Sequence, residues 1–380
     1  MKKILFIVTY LDTGGITTSL INLLSILNHV EVDVFAMSHQ GIFSNELPNC
    51  KLLKKDWLLN SLISRFNQSE WQLKTISIIT KLIDRLTRGK LRDYAFKRVT
   101  AKIEKETSYD AVIGFSEGIP TILATYFACQ NKIAWIHCDY TSYIKQNKID
   151  EAHIYKNFKH IICVSNFTKN SFINSYPTFK DKTIYIYNVL DTEQIRAKAN
   201  SFKPEMDSRS LNIISVGRID PVKRFSAIPE IASKIIANGF NIKWRIIGPI
   251  AIEDEYNKLI DGIRKFNLES SIELLGEMSN PYPYILCSNL LVSTSISEAC
   301  PYVINEAKTL HTPVLCTDFG SSHEFISNGK TGIISPIELM DKAFIELFSN
   351  DHTLYDLIKN NLNSYEYNNN SIIAQFKEIL

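Results

Sequence analysis

Short apolar runs alternate with longer, helix-compatible stretches along most of this chain, and that rhythm restricts the fold more than any other feature. Residues 3–9 read Lys-Ile-Leu-Phe-Ile-Val-Thr, a continuous apolar run. Such a run marks a strand covered on both faces, as in parallel sheets. A loop at 11–15, a helix at 16–27 and a strand at 30–36 follow, a β-loop-α-β start of Rossmann type. The rhythm resumes with strands at 111–115, 132–136, 160–164 and 183–187 and helices at 119–128 and 167–175. A second series has strands at 211–216, 242–247, 271–275, 290–293, 314–317 and 329–334. Helices at 226–238, 253–266 and 282–287 lie between them, and two helices finish the chain. The pattern predicts an α/β chain with two Rossmann-like, doubly wound domains, as a length of 380 residues also requires. Residues 195–210 are polar and strandless, with Pro204 among them. The linker is placed at 196–210, between domains at 1–195 and 211–362, with a C-terminal helix at 363–380.

Composition narrows the function classes. The net charge is only +2 with 22% charged residues, which argues against a nucleic-acid partner. Seven cysteines, none in Cys-x-x-Cys spacing, read as reduced, buried residues of a cytoplasmic protein without a structural zinc. The N-terminal apolar run is too short for a signal peptide and ends in Leu-Asp-Thr-Gly-Gly, so it reads as a first strand. No stretch approaches the ~20 apolar residues of a membrane span.

Residues 51–106 break the rhythm. They are helical in character and carry fourteen basic against six acidic residues, a local charge of +8. Trp57, Phe66, Trp71 and many Leu and Ile residues are interleaved with these charges. Two readings stay open. One is a basic amphipathic surface for an anionic membrane, which would make the protein peripheral on the inner face of the cell membrane. The other is ordinary helices packed on the sheet with solvated lysines outside.

The chemistry concentrates in residues 292–313. Two carboxylates, Glu298 and Glu306, are separated by seven residues, the first in a loop and the second in the following helix. Pro301 suits the first helical position, and the N–H groups near Pro301, Tyr302 and Val303 would face the same crevice. Free N–H groups at a helix start attract phosphate. The result is a phosphate seat flanked by two hydroxyl-binding carboxylates, which suits a sugar nucleotide. The first turn of the second half, Gly217-Arg218-Ile-Asp-Pro-Val-Lys223, sets two cations before a helix, fit for a diphosphate or for a solvated capped turn. Gly14 and Gly15 allow close approach of backbone to a ligand. His137, Ser165 and Asn188 each follow a strand end, on the side where α/β ligands bind. Taken alone, His137 reads first as a satisfied structural histidine, and as a ligand second.

These motifs, taken in order, resemble the retaining glycosyltransferases of family 4, of the bacterial surface-polysaccharide type. The resemblance rests on Val216-Gly-Arg-Ile-Asp-Pro-Val-Lys-Arg, Leu274-Leu-Gly-Glu, Ser297-Glu-Ala-Cys-Pro with Asn305-Glu-Ala, Thr312-Pro-Val-Leu-Cys-Thr and Asn328-Gly-Lys-Thr-Gly. In the first half it rests on Thr13-Gly-Gly, His137, Val164-Ser and Tyr187-Asn-Val-Leu-Asp. It spans most of the chain and is weakest over about 40–108. It implies the GT-B fold, two Rossmann-like domains facing across a cleft, with the C-terminal helices returning to the first. It implies transfer of a hexosyl or N-acetylhexosaminyl group from a nucleotide sugar, a UDP-sugar, to a saccharide or lipid-linked acceptor. Retention of configuration, no metal and no cofactor are implied as well. Arg218 and Lys223 would hold the diphosphate and Glu306 the ribose hydroxyls. Glu298 would face the transferred sugar, with Gly217, Pro301, Tyr302 and Val303 completing the donor site. Gly14 and Gly15 would line the phosphate end, and His137 would sit beside the reacting centre. Ala299-Cys300-Pro301 and His311 depart from the family pattern and would bear on donor selectivity. A nicotinamide-dependent dehydrogenase would need Gly-x-Gly-x-x-Gly after a strand, which neither half has. A sugar-nucleotide epimerase of the same fold and an inactive member serving as a binding subunit remain alternatives.

Overall fold

A computed structural model describes residues 1–12, 14–38, 47–63, 71–349 and 352–380. Thr13 of the first glycine loop and Arg65, Phe66 and Glu70 of the basic segment lie outside the described residues. The chain divides into two compact units, one of residues 1–189 with 369–380 and the other of residues 190–368.

Among the described residues, the first unit holds seven parallel strands. They are β1 (Lys2–Val8), β2 (Val30–Ala36), β3 (Lys51–Leu52), β4 (Ala111–Gly114), β5 (Lys132–Ile136), β6 (His160–Cys163) and β7 (Thr183–Tyr185). Their order is β3-β2-β1-β4-β5-β6-β7. The chain runs outward from β1 to one edge and returns to β4, so the switch point of the sheet lies between β1 and β4. Ile4, Leu5, Phe6 and Ile7 are fully buried, so both faces of β1 are covered, as its unbroken apolar run requires. Ser165 and Thr168 form a reciprocal capping box at the helix Asn166–Ser175, and the Ser19 hydroxyl donates to Asn188 Oδ1 at 2.7 Å. Both polar residues therefore have structural partners at the strand ends.

The second unit holds β8 (Leu211–Val216), β9 (Ile242–Ile247), β10 (Ile272–Gly276), β11 (Leu290–Ser293), β12 (Val314–Thr317) and β13 (Ile333–Ser335). Its order is β10-β9-β8-β11-β12-β13, with the switch point between β8 and β11. Both units thus have the doubly wound architecture that the apolar rhythm predicts.

The boundaries differ from the expected ones. The chain passes between units at 189–190 and again at 368–369, not within 196–210. Residues 192–199 form a helix of the second unit, started by Asp191, whose carboxylate accepts from the Gln194 N–H at 2.9 Å. A polar composition marked this stretch as a linker, but the cap makes it a helix. Three helices, Met340–Phe348, Thr353–Asn363 and Asn369–Ile379, follow β13 among the described residues, where two were expected. The last of them belongs to the first unit. Its Phe376 packs on Phe6 and Trp135, with ring centroids 6.4 and 5.4 Å away. Asn131 Nδ2 donates to the Ile379 carbonyl at 3.1 Å. The seven cysteines form no disulfide; Cys163 and Cys316 are fully buried and the other five are partly exposed.

Candidate functional site

Two loops meet at the switch point of the second sheet. One leaves β8 through Gly217 to Arg224 and the other leaves β11 through Thr294 to Cys300. They are stitched together by the Thr294 hydroxyl, which donates to the Lys223 carbonyl, and by the Ile296 N–H, which donates to the Val222 carbonyl, both at 2.7 Å. Asp220 shapes the first loop. Its Oδ1 accepts from the Lys223 N–H at 2.9 Å, and its Oδ2 lies 3.3 Å from Arg218 Nη2. The Lys223 ammonium donates to Glu298 Oε1 in a short ion pair, and the Ser295 hydroxyl donates to the same oxygen at 2.7 Å. Each of the two expected phosphate cations therefore has a carboxylate partner, and the four formal charges cancel. The pairs differ in environment. Lys223 and Glu298 are 20% and 15% exposed, so theirs is a largely desolvated contact, whereas Arg218 is 58% exposed and screened.

The loop after β8 depends on a close backbone approach. A Cβ placed on Gly248, which follows β9, would lie 1.8 Å from the Gly217 carbonyl oxygen. A Cβ on Gly217 would lie 3.1 Å from Lys223 Cε. The glycine pair lets the two turns pack directly, with Lys223 folded back over Gly217.

The helix Tyr302–Thr309 starts at Pro301, and among the described residues no side chain caps it. Its first turn has no acidic residue, so the positive end of the helix dipole is not cancelled there. Glu306 is buried in this helix and accepts from the Tyr282 hydroxyl at 3.1 Å. Burial pushes its carboxyl up to about 7, while the Tyr282 bond and the charges of Lys198 and Lys223 pull the other way. Lys223 thus acts on both carboxylates of the motif. Tyr282, Lys198, Ser295 and Asp220 complete this cluster and were not singled out in the sequence. Asp220 carries a local signal, since Asp-Pro-x-Lys is a turn in which the carboxylate can reach the N–H three residues on. Tyr282 carries none, because it comes from a different helix.

His311 has a local explanation. It takes a left-handed conformation with φ 57°, the geometry that makes glycine common after a helix. Its ring nitrogen contacts the Leu362 carbonyl, and Lys359 Nζ donates to its own carbonyl at 3.0 Å. His311 thereby ties two helices of the second unit, which gives its contacts a structural role.

In the first unit, the loops after β1, β4 and β5 share one sheet edge. Gly14 has φ 151° and ψ 167°, a conformation open almost only to glycine. A Cβ on Gly14 or Gly15 would meet nothing within 4 Å among the described residues. His137 follows β5 and packs its ring on Phe115 and Trp135, with centroids 4.9 and 6.2 Å away. The backbone N–H of His137 donates to Glu117 Oε2 at 3.0 Å. Its Nε2 is buried and has no hydrogen-bond partner among the described residues. Burial pushes the imidazole down to about 3, so the ring is neutral near pH 7. Burial also raises the Glu117 carboxyl.

Two family models match. Residues 13–194 match Glycosyltransferase Family 4, and residues 197–363 match Glycosyl transferases group 1. The chain is 25% identical over 173 residues to an N-acetylgalactosamine-N,N'-diacetylbacillosaminyl-diphospho-undecaprenol 4-alpha-N-acetylgalactosaminyltransferase of Campylobacter jejuni. That alignment covers 45% of each chain, so it spans less than half of the relative. The capsular polysaccharide biosynthesis glycosyltransferase CapH of Staphylococcus aureus is 24% identical over 301 residues, 76% of this chain and 81% of CapH. In fold, the chain is similar to Anabaena HepE in complex with UDP and glucose, with a TM-score of 0.71, 16% identity and coverage of 100% of this chain and 99% of HepE. Sequence models over both halves, and two doubly wound sheets beneath them, converge on one conclusion: the chain belongs to the glycosyltransferases, with a family 4 domain followed by a group 1 domain.

Proposed function

We propose that the protein transfers a hexosyl or N-acetylhexosaminyl group, with retention and without a metal, from a UDP-sugar to a saccharide or lipid-linked saccharide acceptor of a cell-surface glycan. One observation carries the reading. The Lys223–Glu298 pair stands at the switch point of the second sheet, in a motif with the uncapped start of the helix Tyr302–Thr309 and with buried Glu306. Strand carboxyl ends at a switch point are where open α/β sheets bind nucleotides. In this reading Arg218, Lys223 and the N–H groups of Tyr302 and Val303 carry the diphosphate charge that grows as the sugar departs. Glu306 accepts from the ribose hydroxyls, and Glu298 holds Lys223 and meets the sugar. Neutral His137, with Nε2 still to be partnered, accepts or donates one hydrogen bond to the sugar. Attack comes from the face that the phosphate leaves. The name of the Staphylococcus relative supports a role in capsular polysaccharide synthesis, that of the Campylobacter relative a lipid-linked acceptor, and the UDP and glucose bound by HepE the donor class.

The test is nucleotide release from a panel of nucleotide sugars, with and without a lipid-linked saccharide extract, in the presence and absence of a chelator. The expected result is release that needs the extract, selects a UDP-sugar and survives the chelator, with an α-linked product from an α-linked donor. Free altered sugar without acceptor would make the protein an epimerase instead. Silence across the panel would leave a binding subunit.

A further inference from the structure

The helix Trp71–Leu86 is mounted with its polar face inward. Ser77 and Thr80 are its buried residues, 3% and 8% exposed. The Thr80 hydroxyl donates to the Ile76 carbonyl at 3.0 Å and lies 3.3 Å from the carbonyl of Ser61, on the neighbouring helix Trp57–Ile63. Asp84, on the same side, accepts from the Arg92 N–H at 2.8 Å, at the start of the helix Lys90–Glu106. Small hydroxyl side chains let this helix lie close to its neighbours without leaving a polar group unmet.

The opposite arc is open and mostly apolar, with Gln72 and Thr75 its polar members. Trp71, Ile76, Ile78, Ile79, Leu82 and Leu86 are each 45–74% exposed. At 100° per residue these six positions fall within about half of the helix circumference. Lys74, Lys81 and Arg85, the three cations of the helix, fall together along one margin of that arc. A soluble surface helix shows the reverse, with its apolar stripe facing the core. Segment 51–106 as a whole carries the surplus of +8 that the complete chain, at +2, does not.

From this we infer that the helix Trp71–Leu86 docks flat on an anionic lipid surface, with its apolar arc among the acyl-chain boundary and Lys74, Lys81 and Arg85 at the headgroups. Charge decides between the two natural occupants of such a face. A second copy would bring a second row of cations against the first, whereas anionic headgroups complement it. With sixteen residues the helix is shorter than the ~20 a span needs, and among the described residues no helix is long and apolar enough to cross a membrane. The geometry is that of a helix lying in the interface plane. The inference rests on the outward apolar arc and not on the transferase reading, so either can fail alone.

The test is flotation of the full chain with vesicles of mixed phosphatidylglycerol and phosphatidylcholine, against phosphatidylcholine alone. The wild type is expected to float with the anionic vesicles, to be released by high salt, and to shift its tryptophan emission to the blue. Ile79→Asp with Leu82→Asp, on exposed positions that leave the fold intact by circular dichroism, is expected to abolish flotation. Replacing Lys74, Lys81 and Arg85 by Gln is expected to weaken it about fivefold for each cation removed. Failure of the wild type to float, or flotation indifferent to both sets of substitutions, overturns the inference. So does a dimer in sedimentation that the Asp substitutions convert to a monomer, since the arc would then be covered by a second copy.

Discussion

The two units repeat one sheet plan but equip its switch point with different chemistry. In the second unit, the loops after β8 and β11 carry ionised groups bonded to one another, Lys223 with Glu298 and Arg218 with Asp220. In the first, the corresponding edge carries bare glycines at 14 and 15, a neutral imidazole at 137 and a carboxyl at 117 whose ionisation desolvation opposes. The switch point of the second unit is thus dominated by paired charge, that of the first by open backbone and a neutral ring. Even the glycines divide this way. Gly248 is required by the protein's own packing, because a Cβ would collide with the Gly217 carbonyl. Among the described residues nothing would meet a Cβ at Gly14, and its backbone conformation is what calls for glycine.

The largest effect should come from Lys223→Ala. It removes a charge from the proposed donor site and leaves Glu298 without its ion-pair partner, so kcat/KM for transfer should fall about a thousandfold, some 4 kcal/mol in transition-state binding. Arg218→Ala should cost about tenfold, because that charge is exposed and screened. Equal losses would erase the distinction drawn between the two pairs. Next, Gly248→Ala should lower stability by several kcal/mol in denaturant melts, through the backbone collision. Gly14→Ala should cost only about 1–3 kcal/mol, for the strained conformation, yet depress transfer strongly. A Gly14→Ala protein with full activity would remove the close-approach role from the first unit.

Glu306 and His137 give opposite signatures with pH. The Glu306 carboxyl is raised to about 7 from 4.5 by burial. The folded state therefore holds this proton more tightly, and the group's contribution to stability falls as pH rises from about 4.5 through 7, then levels. Glu306→Gln should abolish that decline, stabilise the protein at pH 8 by roughly 3 kcal/mol and raise KM for the donor. In the wild type, donor affinity should rise with pH through about 7 as the carboxylate ionises. The His137 imidazole is lowered to about 3 from 6.5, so the unfolded chain takes up its proton first. Its contribution is present above about 6.5 and lost as pH falls toward 3. His137→Gln, the smallest expected change, should flatten that acid limb and slow transfer with little change in donor KM. A larger effect on donor KM than on kcat would move His137 from the reacting centre to the nucleotide.

Much of this was legible in one dimension. The apolar run at Ile4 to Val8 announces a doubly covered strand because a parallel sheet leaves it no solvent face. The motif at Glu298 and Glu306 announces its own loop and helix because caps and prolines act within a few residues. The cap at Asp191 was equally local, yet the polar residues around it read as a linker, and the helix Thr192–Ala199 was missed. Contacts made across the fold were less accessible. Lys223 meets Glu298 across 75 positions and Tyr282 meets Glu306 across 24, and nothing in either local sequence encodes the partner.

The sequence by itself determined the fold class, the two sheets and the loops that bear the chemistry, because hydrophobic periodicity, turn residues and helix starts are short-range physics. The tertiary structure alone decided that Arg218 and Lys223 are held by carboxylates, that Glu306 is buried enough to titrate near neutrality, and that His137 is neutral. It also decided the orientation of the helix Trp71–Leu86. Periodicity shows that this helix has two faces, but only packing against Ser61 and Arg92 turns Ser77, Thr80 and Asp84 inward and leaves the apolar arc outside. Burial and pairing are properties of neighbours in space, and a chain met as a string does not yet have them.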